Sequence, residues 1–212
     1  MDAFRQFIAT FPAKTFKKGE TILLQGEKPT HLFIIESGTV KTYSITKNGD
    51  ERLVSFDRRD DEFPIGYAFG LIHTSEYFYE AFTKCTVRLV SRDEYLQYLN
   101  SDSKRMYKQQ VRMTIVLLST LSRIHALEQP TASDKIAHTL MYMGKRLGVI
   151  LRPYKTRVKI SVTQQEIANS LGLTRETANV ELKKLESLKL IAHSRKSYVL
   201  YMERLEKYLE GR

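Results

Sequence analysis

The segment TQQEIANSLGLTRETANVELKKLESLKLI, residues 163–191, constrains this chain more than any other. Its apolar spacing and its punctuation specify two short helices joined by a tight turn. Ile167, Ala168 and Leu171 put an apolar stripe on the first helix. Gly172 supplies the turn, where a residue without Cβ costs least. Thr174 suits the N-cap of the second helix, because its hydroxyl accepts an otherwise unpaired backbone N–H. Ala178, Leu182 and Leu185 then recur at three- and four-residue spacing and face inward. Arg175, Glu176, Asn179 and Lys183 are left for the outer face. Arg grips a guanine edge and Glu accepts from cytosine N4, so this face suits base reading in a DNA major groove.

An ordinary amphipathic helix pair in a core would show much the same stripe. The flanks separate the two readings. RVKISV, residues 157–162, is a strand pattern. AHSRKSYVLY, residues 192–201, sets a polar, basic tip between two strand-like edges, as in a wing hairpin. Strand, helix, turn, helix, hairpin is the order of a winged helix, and DNA is the expected partner. Charge agrees. Of the formal net charge of +10, residues 1–130 carry only +2, with 18 Lys/Arg against 16 Asp/Glu. Residues 131–212 carry +8, with 16 against 8. A basic surface attracts phosphates and speeds the encounter with DNA. The Lys and Arg residues are scattered rather than clustered beside an anchor, which argues against an anionic membrane as partner.

Other chemistries find little support. The single cysteine, Cys85, excludes an internal disulfide and an iron–sulfur cluster, and it reads as a small core residue. The five histidines, His31, His73, His125, His138 and His193, lack metal-ligand spacing, so no metal is expected. No nucleophile elbow, zinc-ligand pair or phosphate loop occurs, so no catalytic residues and no enzyme are expected. The start, MDAFRQFIATFPAK, has neither a basic n-region nor a long apolar run. TIVLLSTL is too short to span a bilayer and is interrupted by Ser119 and Thr120. A soluble, cytoplasmic protein is the expectation.

Three parts follow along the chain. Residues 1–100 open with a short helix on which Phe4, Phe7, Ile8 and Phe11 share a face and Pro12 is the stop. Strand signals then dominate, with Gly19, Gly26, Gly38 and Gly49 between β-rich runs. Asn48-Gly49 marks a hairpin, and EAFTKCTVRLVS reads as a further strand pair with Cys85 and Val87 inward. Short strands separated by glycine turns predict a β-barrel or roll. Residues 101–130 read as one long helix and hinge. Met106, Met113, Leu117, Ile124 and Leu127 follow a three/four spacing, with Gln110 and Thr120 in the same stripe and Val116 and Leu121 widening it. Either the roll or the same helix of a second chain has to cover that stripe, and a wide stripe serves both. Pro130 ends the helix. Residues 131–212 form the winged-helix domain. Its first helix, SDKIAHTLMYMGKRLG, is expected to start at a capping serine or aspartate, to bury Ile136, Leu140 and Met143, and to end at glycine.

This arrangement resembles the cyclic-AMP receptor protein / fumarate-nitrate reductase regulator (CRP/FNR) family of bacterial transcription regulators, over essentially the whole chain. The N-terminal marker is GETILLQGE, residues 19–27, followed by FIIESGTVK, residues 33–41. The C-terminal and more specific marker is QEIANSLGLTRETANVELKKLE. The resemblance implies an α+β fold: a cyclic-nucleotide-binding-like β-roll (a double-stranded β-helix or jelly roll), a long dimerisation helix, and a winged helix-turn-helix. It implies a homodimer on a two-fold symmetric DNA site with half-sites about one helical turn apart. RNA polymerase is a further implied partner if the protein is an activator. By the same resemblance Arg175 and Glu176 match the family's base-reading pair, and Thr163, Gln165, Thr174, Thr177 and Lys183 its phosphate-contacting positions.

The departures bear on mechanism. Members that bind cyclic AMP hold the ribose with a glycine-glutamate pair and the cyclic phosphate with an Arg-Ser/Thr-Ala run. Here FPIGYAFG puts Tyr67 after Gly66, and the second run aligns with Ser75, Glu76 and Tyr77. A carboxylate where a phosphate should sit repels it, so cyclic AMP is not expected as a ligand. The aromatic residues Tyr67, Phe69, Tyr77, Phe78 and Tyr79, with His73, have two readings. They fill the roll, or they line an effector pocket for an aromatic or apolar molecule, with Tyr67, Phe69, His73 and Tyr77 as its candidate residues. A gas-sensing branch uses a histidine to hold haem, but a lone His73 is weak support for that cofactor. On the reading helix, Val180 stands where the cyclic-AMP branch has a second base-reading arginine. Val180 is suited only to a thymine methyl, whereas Asn179 is suited to adenine or a phosphate. Three functions stay open: a DNA-binding regulator with an unknown effector, a constitutive regulator without one, and, with the least support, an enzyme.

Overall fold

The computed structural model describes residues 2–194 and 196–211. The chain divides into two compact units, Met1–Ile45 with Val54–Val116, and Thr46–Leu53 with Leu117–Arg212.

In the first unit a short helix α1 (Ala3–Ala9) precedes the strands β1 (Ala13–Phe16), β2 (Thr21–Leu23), β3 (Leu32–Ser37), β4 (Thr39–Ile45), β5 (Glu51–Arg58, of which residues 51–53 count with the second unit) and β6 (Glu62–Phe63). A one-turn helix α2 (Ile65–Ala68), strands β7 (Phe78–Ala81) and β8 (Cys85–Val90), and helix α3 (Arg92–Asn100) lead into the long α4 (Ser103–Glu128). The strands form two four-stranded sheets, β1-β8-β3-β6 and β2-β7-β4-β5. Their inner faces share an apolar cluster that includes Phe16, Leu23, Phe33, Val40, Phe63, Tyr79 and Val87. Strand β3 shows the period-two logic. Phe33 and Ile35 point into this cluster, whereas Leu32 and Ile34 join a second one with Phe4, Ile8, Tyr95 and Leu99 of α1 and α3.

Several local expectations meet the structure here. Gly49 has φ +86°, and the Thr46 N–H donates to the Asp50 carbonyl at 2.9 Å, which closes the β4–β5 turn. The run from Glu80 to Ser91 does hold two strands, but β7 and β8 lie in different sheets and are not hydrogen-bonded partners. The chain crosses between sheets at that point. Gly38 makes the crossing tight: a Cβ there would lie 2.6 Å from the Cys85 Cβ. Cys85 is buried, and burial pushes its thiol up to about 11, which suits an inert core residue. Helix α3 falls in a stretch read as strand-dominated. Its start is set by Ser91, whose hydroxyl accepts from the Glu94 N–H at 3.3 Å.

The second unit contains the C-terminal half of α4, then α5 (Ala132–Leu147), β9 (Val149–Ile150), β10 (Arg157–Ile160), α6 (Gln164–Leu171), α7 (Arg175–Ser187), β11 (Ile191–Ser194), β12 (Ser197–Tyr201) and α8 (Met202–Glu210). Its sheet order is β11-β12-β10-β9. Helix α5 buries Ile136, Leu140 and Met143 as expected and ends at Gly148. Its cap is Thr131, however, and not a serine or aspartate. The Thr131 hydroxyl accepts from the Asp134 N–H at 3.1 Å and donates to the Asp134 carboxylate at 2.6 Å, placing the helix start ahead of Ser133. The basic wing tip falls partly on residue 195, which lies outside the described residues.

Candidate nucleic-acid interface

Local hydrogen bonding fixes where α6 begins, where it stops and where α7 starts. At the α6 entrance a reciprocal capping box forms. The Thr163 hydroxyl accepts from the Glu166 N–H at 3.1 Å, while the Glu166 carboxylate accepts from the Thr163 N–H at 2.6 Å. At the exit Gly172 is left-handed, with φ +65°, and the Leu173 N–H returns to the Ala168 carbonyl at 3.0 Å. Two residues later Thr174 caps α7, its hydroxyl accepting from the Thr177 N–H at 3.1 Å and meeting the Thr177 hydroxyl at 2.9 Å. Ile167, Ala168, Leu171, Ala178, Leu182 and Leu185 are all buried, so the apolar faces expected from the spacing are the packed ones.

The opposite face of α7 is open. Arg175 and Glu176 occupy its first turn and are exposed, as is Lys183 two turns on. None of the three makes an ion pair or hydrogen bond among the described residues, so their side chains stay available. Val180 is 52% exposed between them. Asn179 is half-buried and differs from its neighbours: its Oδ1 accepts from the Gln164 Nε2 at 3.1 Å. Gln165, on the exposed side of α6, donates to the Asn169 Oδ1 at 2.6 Å. Thr163, Gln165, Thr174, Arg175, Glu176, Thr177, Asn179, Val180 and Lys183 thus lie on two consecutive helices and their caps. Arg175 and Glu176 also sit at the positive end of the α7 dipole.

One residue that the sequence did not single out is Arg123 of α4. It is 3% exposed and its Nη2 donates to the Ser170 carbonyl near the end of α6. Its Nε and Nη1 have no hydrogen-bond partner among the described residues, although the guanidinium lies over the Tyr142 ring at 6.0 Å, and burial draws its pKa below the ordinary arginine value. A helix C-terminus offers partial negative charge to such a cation. No spacing signal marks it, because an arginine on a long helix reads as solvated.

The four aromatic and histidine candidates of the first unit do not converge. Tyr77 packs against the cluster inside the roll, and Phe69 against the cluster of α1 and α3. Tyr67 lies half-buried on α2, and His73 is exposed. The interior is occupied by rings: Phe33 stacks on Phe63 at 5.3 Å and Phe63 on Tyr79 at 4.5 Å. Ser75 is buried and its hydroxyl donates to the Tyr77 carbonyl at 2.7 Å, whereas Glu76 is exposed. A cavity of about 100 Å³ does occur in this unit, lined by Asp57, Asp61, Glu62, Ile65, Arg112, Met113 and Val116, and none of the four candidates lines it. Glu62 accepts from the Tyr95 hydroxyl at 3.2 Å and from Gln109 Nε2. Burial pushes its carboxyl above the usual range, against the opposing effect of Arg112. The described residues hold no group of His, Cys, Asp and Glu able to hold a metal ion. None of their helices is long and apolar enough to cross a membrane.

Comparison with known proteins matches both units. A cyclic nucleotide-binding domain model covers residues 13–102, and a Crp-like helix-turn-helix domain model covers residues 134–208. The cAMP-activated global transcriptional regulator CRP of Escherichia coli O6:H1 is 28% identical over 197 residues, covering 92% of this chain and 89% of that protein. Electron transport regulator A of Shewanella oneidensis is also 28% identical, over 84% of this chain and 70% of its own length. Among solved structures, the c-di-GMP responsive global regulator CLP of Xanthomonas campestris superposes with a TM-score of 0.74 at 23% identity, covering 93% of this chain and 97% of that one. A CRP/FNR-family transcriptional regulator from Thermus thermophilus gives a TM-score of 0.71 at 19% identity, covering 94% and 98%.

Proposed function

Since this chain belongs to the CRP/FNR family of DNA-binding transcription regulators, we propose that it acts as a homodimer that reads a two-fold symmetric DNA site with α7. The observation that carries the reading is the Arg175-Glu176 pair, exposed and unengaged in the first turn of a capped helix. Arg175 donates two hydrogen bonds to one guanine, and Glu176 accepts from a cytosine amino group. Lys183, Gln165, Thr163, Thr174 and Thr177 hold the backbone on either side. The dimer forms along α4, where Met106, Met113, Leu117, Ile124 and Leu127 are between 38% and 58% exposed in the single chain. A stripe of that kind needs a second helix to cover it.

In this reading the roll does not answer to cyclic AMP. Glu76 offers charge of the wrong sign for a phosphate, and the stacked rings of Phe33, Phe63 and Tyr79 take up interior space. The same stack favours a constitutive regulator, set by its own abundance, over a sensor of an aromatic ligand. The protein works on cytoplasmic DNA and catalyses no reaction.

The test is operator and scrambled-DNA affinity over a salt series for Arg175→Ala and Lys183→Ala. Arg175→Ala should cost about 1–3 kcal/mol on operator and relax preference at one base pair. Lys183→Ala should weaken both DNAs alike and reduce the salt slope by about one counterion. Equal weakening of both DNAs by Arg175→Ala would contradict the assignment.

A further inference from the structure

We propose that Arg123 is a positioning residue that holds the two reading helices of the dimer at one half-site spacing. This rests on the reading above, a dimer along α4 with α7 in the groove. In such a dimer α4 is the common axis. The separation of the two copies of α7 then depends on how each winged helix is held against α4. The covalent link does not fix this. Residues 129–131, between α4 and α5, are not helical, and Pro130 has no N–H with which to continue the helix. Side-chain contact has to supply the rest. Among the described residues 117–128 only Arg123 and Ala126 are buried, and an alanine has no reach. The Arg123 guanidinium lies over the Tyr142 ring of α5 at 6.0 Å, and its Nη2 donates to the Ser170 carbonyl of α6. That carbonyl is in the last turn of α6, where backbone acceptors lack partners within the helix. Gly172 follows two residues later, and Thr174, the cap of α7, two residues after that. His125 adds a contact with α5, its ring edge-on to His138 at 4.7 Å.

Stability does not explain an arginine here. A buried cation loses its hydration, and Nε and Nη1 find no hydrogen-bond partner among the described residues in return. Methionine would fill similar space without that penalty. What arginine adds is a rigid, planar, donor-only fork, whose bond to one carbonyl has a fixed direction. It ties α4 to the helix that leads into α7. The consequence for DNA is geometric. Each base pair inserted between half-sites moves the second half-site about 3.4 Å along the duplex and turns it about 35° around it. A pinned dimer follows only by twisting or bending the DNA, which costs free energy. A dimer without the pin follows by swinging its winged helices.

The experiment uses the full chain and the half-site that the wild type selects from random DNA. Two inverted copies are joined by spacers from two base pairs shorter to two longer than the selected one, and affinity is measured for each. The wild type should prefer its spacing over either neighbour by roughly tenfold or more. Arg123→Met should remain dimeric in sedimentation and bring the neighbouring spacings to within about twofold of the best. Base preference inside each half-site should not change, and the urea midpoint should equal or exceed that of the wild type. Arg123→Lys is the second variant, for the case that the methionine protein does not fold. It keeps the charge but lacks the planar fork, and it should flatten the spacing profile as well. An unchanged spacing profile in a folded, dimeric variant would overturn the proposal. So would a lower midpoint with affinity reduced equally at every spacing, which is what a merely structural Arg123 would give. A wild type that selects no paired half-sites would instead remove the dimer reading, so the two failures are told apart.

Discussion

The two units of this chain treat their polar and aromatic side chains in opposite ways. In the helix-turn-helix unit, Arg175, Glu176 and Lys183 are held out into solvent on a helix whose other face is fully packed. In the roll, the aromatic side chains are consumed by one another, Phe33 on Phe63 on Tyr79, and Tyr43 on Phe78 at 5.2 Å. Ser75 is buried and its hydroxyl is spent on a backbone carbonyl. A reading surface is chemistry left unsatisfied by the fold, whereas a packed interior leaves little for a ligand. The first unit is shaped like a sensor, but its interior is filled like a core.

The comparison is broken most severely at α4, which passes through both units. Changing Leu117 and Ile124 to Asp should give monomers in sedimentation at micromolar concentration. Operator affinity should fall on the order of a hundredfold or more, because two half-sites then bind independently. A wild-type chain that is already monomeric at that concentration would remove the dimer from the account.

The roll side is challenged by calorimetric titration with cyclic AMP and cyclic GMP. Neither should give heat of binding at millimolar nucleotide. A micromolar dissociation constant for either would mean that the stacked rings and Glu76 do not govern the site.

How far these two units were legible in the sequence differs for a physical reason. Gly172, Thr174 and the 167/168/171 stripe each have one favoured structural use, and all three were readable. The winged-helix order followed from alternating strand and helix periods. In the roll, the glycine turns and strands were legible, but Tyr67, Phe69, His73 and Tyr77 were not resolvable into a place. Strand pairing decides which ring faces which cluster, and pairing between β7 and β4 is nonlocal. The start of α3 had a local signal, Ser91 with Glu94 three residues on, that was masked by the strand signals before it. Arg123 and the Gln164–Asn179 pair had none, since each depends on a neighbour on another helix.

A smaller effect sharpens the contrast from within the first unit. Burial raises the Glu62 carboxyl above its ordinary value, near 4.3 for an unfolded chain, so its contribution is fully present below that pH. It is lost as pH rises through the folded value. Glu62→Gln should remove this slope and raise the stability of the unit at pH 7.5, read from urea unfolding at several pH values. A variant that is less stable at pH 7.5, with the slope unchanged, would show that the ionised carboxylate is the favoured form.

The central claim is that this chain recognises DNA sequence as a symmetric dimer through α7. Its most direct test is selection of bound DNA from a fully random library by the purified protein with no added effector. The account predicts an inverted repeat with half-sites about one helical turn apart, each retaining a guanine and a cytosine that Arg175→Ala and Glu176→Ala separately release. Enrichment of a single, asymmetric half-site, or no enrichment over the input library, would contradict it.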